Sequence, residues 1–555
     1  MKLFSKLGVS LAAICAASVS VPASADVLID NVQGIRIDED GDIDRFTGLW
    51  VDDDGTIIEV LDKGDDRPER PTYLSDMKGQ IIVPGMIDAH LHVMGIGFGA
   101  LTLDLSQTGS LEEALALIEQ FARENPGRPW ILGRGWNQEE WDLGRFPTAQ
   151  ELDRAVAGRP VLLERVDGHA SWANTTALEM AGITAETEDP AGGRIERDAS
   201  GAPTGVFVDA AAELVQKVVP EPRGVDLDLA LQEAQKTLLS QGITAAADMG
   251  TTMADWQTYR RAGDTGQLRI RIMSYAAGIE AMEAIGGTGP TPWLYDDRLR
   301  LNGVKLYLDG ALGSRGAWLK QPYSDDPENT GLPLLTDAQL RNMMSRAALE
   351  NYQVAVHAIG DAANAEALSA IEELSESYKG DRRWRIEHAQ IIDPADIERF
   401  GEYGIIASVQ PVHQTSDRLM AAARLGQNRL AGAYAWSSLE DAGARLALGS
   451  DAPVESANPF VGLAVAMSRI DGDGLPPGGW MPAERLSRLE AWQGFTSDAA
   501  YAGMAEGRFG RLVEGERADF VVIDRDISRI SPEAIRDTEV LETWVGGTRA
   551  YRKGD

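Results

Sequence analysis

Ile81-Ile82-Val83-Pro84-Gly85-Met86-Ile87-Asp88-Ala89-His90-Leu91-His92 is the stretch on which the fold turns. A short apolar run punctuated by Pro-Gly reads as a buried strand, and it delivers two histidines at its C-terminal end. Side chains alternate along a strand, so His90 and His92 point the same way and can grip one ion. The chain has only six histidines in 555 residues. Others recur in the same setting: His357 ends Val354-Ala355-Val356, and His388 ends Arg385-Ile386-Glu387. His413 follows Ala407-Ser408-Val409-Gln410-Pro411-Val412, and Asp451 ends Leu446-Ala447-Leu448-Gly449-Ser450. A parallel barrel carries its chemistry at the C-terminal ends of its strands. Imidazoles gathered there can meet at one point and hold a metal.

Outward from this stretch, short apolar runs alternate with helical patterns, the signature of a parallel sheet. Eight strands are expected, ending at His90, Asp248, Ser274, Leu308, His357, His388, Gln410 and Asp451. Eight is the number that closes a (β/α)8 TIM-like barrel. About 150 residues separate the first two strands, far more than a crossover helix needs, so an inserted α+β subdomain is expected over about 105–225. Residues 26–84 and 505–555 are β-rich and punctuated by Gly and Asp. They are expected to form one composite β-sandwich from both termini, with the barrel occupying 85–504.

Residues 1–25 read as a signal peptide, with Lys2 and Lys6, an apolar stretch and Ala23-Ser24-Ala25. The protein is therefore expected to be exported, periplasmic or secreted, with no membrane partner after cleavage. Cys15 is the only cysteine and lies in that segment, so no disulfide, thiolate metal site or cysteine nucleophile is expected. The formal charge of −34 excludes nucleic acid and anionic membranes as natural partners. It reads as a solubility feature. A small molecule and a second copy of the chain, as a homodimer, are the partners left.

Several residues carry two readings. Asp451 at a strand end must be ligated or hydrogen-bonded; it could coordinate a metal or take a proton as general base. Lys305 lies mid-strand, where a buried ammonium is costly. Paired with Asp309 it is structural; carboxylated, it is an anionic ligand able to bridge two metals. His169 falls in the insertion and either reaches the barrel mouth or caps a helix. His413 either lines the pocket or packs in the core. Trp136 and Trp141 read as an aromatic wall or as core. Gly95 and Gly97 suggest a loop passing close to a ligand.

His90-x-His92, Lys305, His357, His388 and Asp451 follow one another in the order found in the amidohydrolase superfamily, which this chain resembles. The likeness extends to the stretch from Val83 to His92 and to Gly515-Glu516-Arg517-Ala518-Asp519-Phe520-Val521-Val522. Asp167-Gly168-His169-Ala170-Ser171-Trp172-Ala173-Asn174, Asp309-Gly310-Ala311-Leu312-Gly313-Ser314 and His357-Ala358-Ile359-Gly360-Asp361 resemble its family 3 branch, which includes N-substituted formamide deformylases. The resemblance implies that His90, His92 and Asp451 hold one metal. His357 and His388 would hold a second, bridged by a carboxylated Lys305. In a single-metal scheme His90, His92, His357 and Asp451 bind the ion, and His388 contacts the substrate or nucleophile. His169, His413, Trp136 and Asp309 are the expected substrate contacts. Asp361, four residues after His357, stands near where deaminase relatives often carry a Glu acid, which weighs against deamination.

The expected function is a zinc-type metal hydrolase with one or two ions. It would cleave a non-peptide C–N bond of an amide or N-formyl or N-acyl amine by metal-activated hydroxide, with Asp451 and His388 catalytic. An esterase or lactonase with the same site, or a non-catalytic periplasmic metal- or ligand-binding protein, are the alternatives.

Overall fold

A computed structural model describes residues 26–38 and 41–555. The expected signal peptide lies outside the described residues. Eight strands lie side by side in chain order in one sheet: Met86–Leu91, Ile243–Thr251, Arg271–Ala277, Leu299–Tyr307, Gln353–Ala358, Arg385–His388, Ile406–Val409 and Arg445–Leu448. Every neighbouring pair is parallel. Strands covered on both faces need apolar side chains throughout, which is why Val354, Ala355 and Val356 or Ile386 precede each functional residue. Helices such as Gly224–Ser240, Asp337–Leu349 and Asp361–Ser377 return the chain between strands.

The sheet curls until its first and last strands meet. The Asp451 N–H donates to the His90 carbonyl at 2.7 Å. Asp88 fastens the seam, accepting from Ser450 N at 3.0 Å and Ser450 Oγ at 2.6 Å. Gly449 permits this approach, since a Cβ there would lie 2.6 Å from His90 N. The seam therefore places His90 and Asp451, remote in sequence, against each other.

Gly95 and Gly97 do not lie in a ligand-side loop. They belong to the helix Val93–Leu101, whose first amide is capped by the buried Asp248 carboxylate at 2.9 Å. A Cβ on Gly97 would lie 1.9 Å from Ala230 O. This glycine serves the close packing of that helix on Gly224–Ser240.

The insertion opens with a strand at Leu103–Asp104, two residues earlier than expected, and forms a mixed six-stranded sheet with its own buried clusters. Strands from both termini make a further seven-stranded sheet. Phe520–Ile523 pairs antiparallel with the end of Tyr73–Pro84, immediately before the first barrel strand. That sheet encloses a core including Ile29, Phe46, Leu49, Phe520 and Trp544. It is anchored to the barrel by Arg271 at the start of the third barrel strand. The buried guanidinium grips both Asp519 oxygens at 2.6 and 2.8 Å.

Candidate metal centre

Five strand ends converge at the C-terminal mouth. His90 Nε2 lies 3.4 Å from Asp451 Oδ1, and His92 Nε2 lies 3.3 Å from the same oxygen. His388 packs on both His90 and His357, with ring centres 4.7 and 4.5 Å away. Ligand atoms of His90, His388 and Asp451 all lie within 4.8 Å of one another. Lys305 Nζ sits 3.3 Å from His90 Nε2 and over the Tyr307 ring. The backbone is bent to achieve this: His388 and Asp451 have φ of 74° and 59°. Such left-handed geometry in non-glycine residues costs roughly 1–3 kcal/mol each. It turns both side chains in from the ends of their strands.

Hydrogen bonds fix which nitrogen each imidazole presents. His90 Nδ1 meets Glu387 Oε2 at 2.6 Å, leaving Nε2 toward the centre. His388 Nδ1 meets Gln410 Oε1 at 2.9 Å. Glu387 is itself held by Arg385 at 2.8 and 3.1 Å. A carboxylate behind an imidazole is the usual support for a metal-ligating histidine, because it sets the tautomer and raises donor strength.

The electrostatics suit metal binding. Burial, helped by the nearby Lys305, pushes the His90 imidazole down to about 4. Burial likewise holds His357 and His388 well below the ordinary histidine range. Burial alone would raise Asp451, but the surrounding His90, His92 and His388 outweigh it and hold its carboxyl well below the usual range. Glu387 is lowered to about 2: burial opposes this, and the Arg385 guanidinium overcomes it. Neutral imidazoles and an ionised carboxylate are the donor set a divalent transition metal takes. His357 Nε2, buried without a hydrogen-bond partner, adds a free donor to the cluster. The residues present therefore fit a metal. Burial lowers Lys305 to about 8, which brings the amine close to the neutral form that carboxylation requires.

Replacing Glu387 by Gln keeps its shape and removes its charge. Loss of such support typically weakens metal binding about 10–100-fold, and that drop is expected in a chelator competition assay. Unchanged affinity would mean that Glu387 serves only to neutralise Arg385.

The remaining expected residues separate into those at the mouth and those away from it. His169 reaches over the mouth from the insertion, with its ring 5.2 Å from that of His357. Its Nδ1 is held by Asp209 Oδ1 at 2.7 Å. Burial works against its charge, but the Asp209 hydrogen bond prevails and raises it to about 9. The neighbouring helix Thr175–Ala181 is capped by Asn174 instead. His413 Nε2 lies 3.6 Å from Asp451 Oδ2. Asp309 does not pair with Lys305. Its carboxylate accepts from the amides of Trp318, Ile359 and Gly360 and lies 3.5 Å from His357 Nε2. Trp136 and Trp141 form no aromatic wall. Both are buried in the core of the insertion, donating to Leu163 O and Thr108 O.

Sequence reasoning passed over Glu387, Gln410, Tyr307 and Asp209. Glu387 had a readable signal. Arg385 and Glu387 sit two apart on a short buried strand, so both face one side, and buried charges must pair. Asp209 had none, since its partner His169 is 40 residues away and meets it only because the strands Ala170–Ala173 and Pro203–Asp209 pair antiparallel.

A histidine–carboxylate centre at the C-terminal mouth of an eight-stranded barrel defines a class, the metal-dependent hydrolases. Comparison with known proteins narrows it. Residues 74–551 match the model of the amidohydrolase family, and the chain belongs to that family. It is 36% identical over 498 residues to Protein LONG AFTER FAR-RED 3 of Arabidopsis thaliana, covering 86% of this chain and 83% of that one. It is 28% identical over 493 residues to an N-substituted formamide deformylase of Arthrobacter pascens, covering 86% and 90%. The crystal structure of an uncharacterised metal-dependent hydrolase from Pyrococcus horikoshii superposes with a TM-score of 0.73 at 26% identity, covering 91% of this chain and 99% of that one.

Proposed function

We propose that the chain hydrolyses the C–N bond of a small non-peptide amide, an N-formyl or N-acyl amine. The observation that carries the reading is Asp451, an ionised carboxylate set 3.3–3.4 Å from two histidine nitrogens at the barrel mouth. The likeness to a formamide deformylase supports the choice of bond. His90, His92 and Asp451 would hold one divalent cation, with His357 and His388 beside them; zinc suits this set, and a carboxylated Lys305 would bridge to a second ion. Bound there, the cation supplies Lewis acidity and acidifies a coordinated water to near neutral pH.

The protein's own groups do the rest. Asp451 takes the proton of the attacking water and returns it to the departing amine. His388, oriented by Gln410, faces the reacting carbonyl. The insertion reaches over the mouth through His169, 5.2 Å from the His357 ring, and would limit the access of bulk water to the reacting groups. We further read residues 1–25 as an export signal, which would place the enzyme in the periplasm or outside the cell.

Matched panels of N-formyl and N-acyl amines, and of esters and lactones of the same shape, test the reading. The amides are expected to have the higher kcat/KM. Preference for the esters would make the protein an esterase on the same site. Binding without turnover on either panel would make it a binding protein.

A further inference from the structure

The barrel mouth is ringed by carboxylates, and most are matched by a cation from the insertion. Asp209 holds His169 at 2.7 Å, Asp167 pairs with Arg165, and Glu164 has Arg134 as its chief opposite charge. Asp417 and Glu455 differ. The hydrogen bonds that reach them come from neutral hydroxyls, Tyr434 to Asp417 at 2.5 Å and Ser416 to Glu455. Among the described residues neither forms an ion pair with Lys or Arg. The opposite charge that acts most on both is the His413 imidazole; Arg165, tied to Asp167, acts on Asp417 more weakly. The two carboxylates are close enough to repel one another, and burial pushes both above the usual range.

They flank an unfinished polar surface. Asp417 stands four residues after His413 on the helix Pro411–Leu425, so the two share a face. His413 Nδ1 meets Gln390 Nε2 at 3.0 Å, which leaves the ring's Nε2 toward the centre. That Nε2 is buried without a hydrogen-bond partner and aimed at Asp451 Oδ2, 3.6 Å away. The fully buried Gln414 amide has neither its oxygen nor its nitrogen satisfied. Buried polar groups in native proteins are rarely left so, and two half-buried carboxylates with no Lys or Arg partner leave a place for a cation from outside the chain.

We propose that Asp417 and Glu455 form a recognition subsite for a positively charged arm of the substrate, an alkylammonium or guanidinium group, beside the reacting amide. The subsite adjoins the centre through His413, so the arm and the scissile bond belong to one small molecule. The inference rests on the proposed amide hydrolysis for its role, but its test needs no turnover. The deeply acidic chain, at −34, favours approach of such a substrate.

Titration calorimetry of the full-length protein with n-butylguanidinium, and with n-butylurea as its neutral counterpart, provides the test. A hydrogen-bonded charge is worth about 1.5–3 kcal/mol, so the cation should bind about 10–100-fold tighter. The gap should close in D417N or E455Q, each checked for an unchanged melting temperature. Equal binding of the two probes to the unmodified protein, or a gap that persists in both variants, would overturn the subsite. If the cation binds selectively while no amide is hydrolysed, the subsite stands and the proposed reaction falls.

Discussion

Asp451→Asn is expected to lower kcat by roughly 10²–10⁴-fold, the usual contribution of a positioned general acid–base group, while fold and bound metal persist. The substitution keeps size and one oxygen near His90 and His92. It removes the ability to take a proton together with one negative charge at the centre, so the comparison is made at metal concentrations that saturate the variant. The surroundings make this a clean experiment. Asp451 N is bonded to the His90 carbonyl through the backbone, so the seam of the barrel does not depend on the side chain. KM should change much less than kcat. A variant with near-normal kcat across pH would show that the proton goes elsewhere, with His388 and His413 the next groups in reach at 3.9 and 3.6 Å.

The second large effect is that of His90→Ala. His90 stands at the middle of the cluster, touching Asp451, Lys305, Glu387 and His388. Since loss of a supporting carboxylate alone costs about 10–100-fold in metal affinity, loss of the ligand itself should cost more than about 100-fold. Purified H90A is expected to carry almost no metal and no measurable activity. Truncation also strands Glu387 beside Arg385, a pair that remains neutral together, so the barrel should still fold. Full metal content with normal turnover in this variant would remove the centre from where it is placed here.

What the sequence made legible is what depends on local pattern. The eight barrel strands could be named because each is a short apolar run, and all but the one ending at Leu308 close on a polar residue with no business in a core. His90, His357, His388 and Asp451 were visible for the same reason. The Gly95 and Gly97 reading failed because a glycine says only that something comes close. For Gly97 the something is the Ala230 backbone, 133 residues further along the chain. Trp136 and Trp141 stayed open between a wall and a core because an aromatic pair reads alike in both, and the structure places them in the core of the insertion. Whether Lys305 pairs with Asp309 was undecidable from spacing. It is settled by three backbone amides that converge on Asp309 from two other segments. Asp417 and Glu455 had no signal at all, since the absence of a Lys or Arg partner can be recognised only once the charges around the mouth have been placed.

The account stands most directly on the claim that this cluster is a working metal centre. Removing metal with a chelator and titrating the apoprotein with zinc or manganese, while following hydrolysis of an N-formyl amine, tests it. Activity should be absent from the apoprotein, rise in proportion to added metal and level off at one or two equivalents per chain. Undiminished hydrolysis by metal-free protein would contradict it.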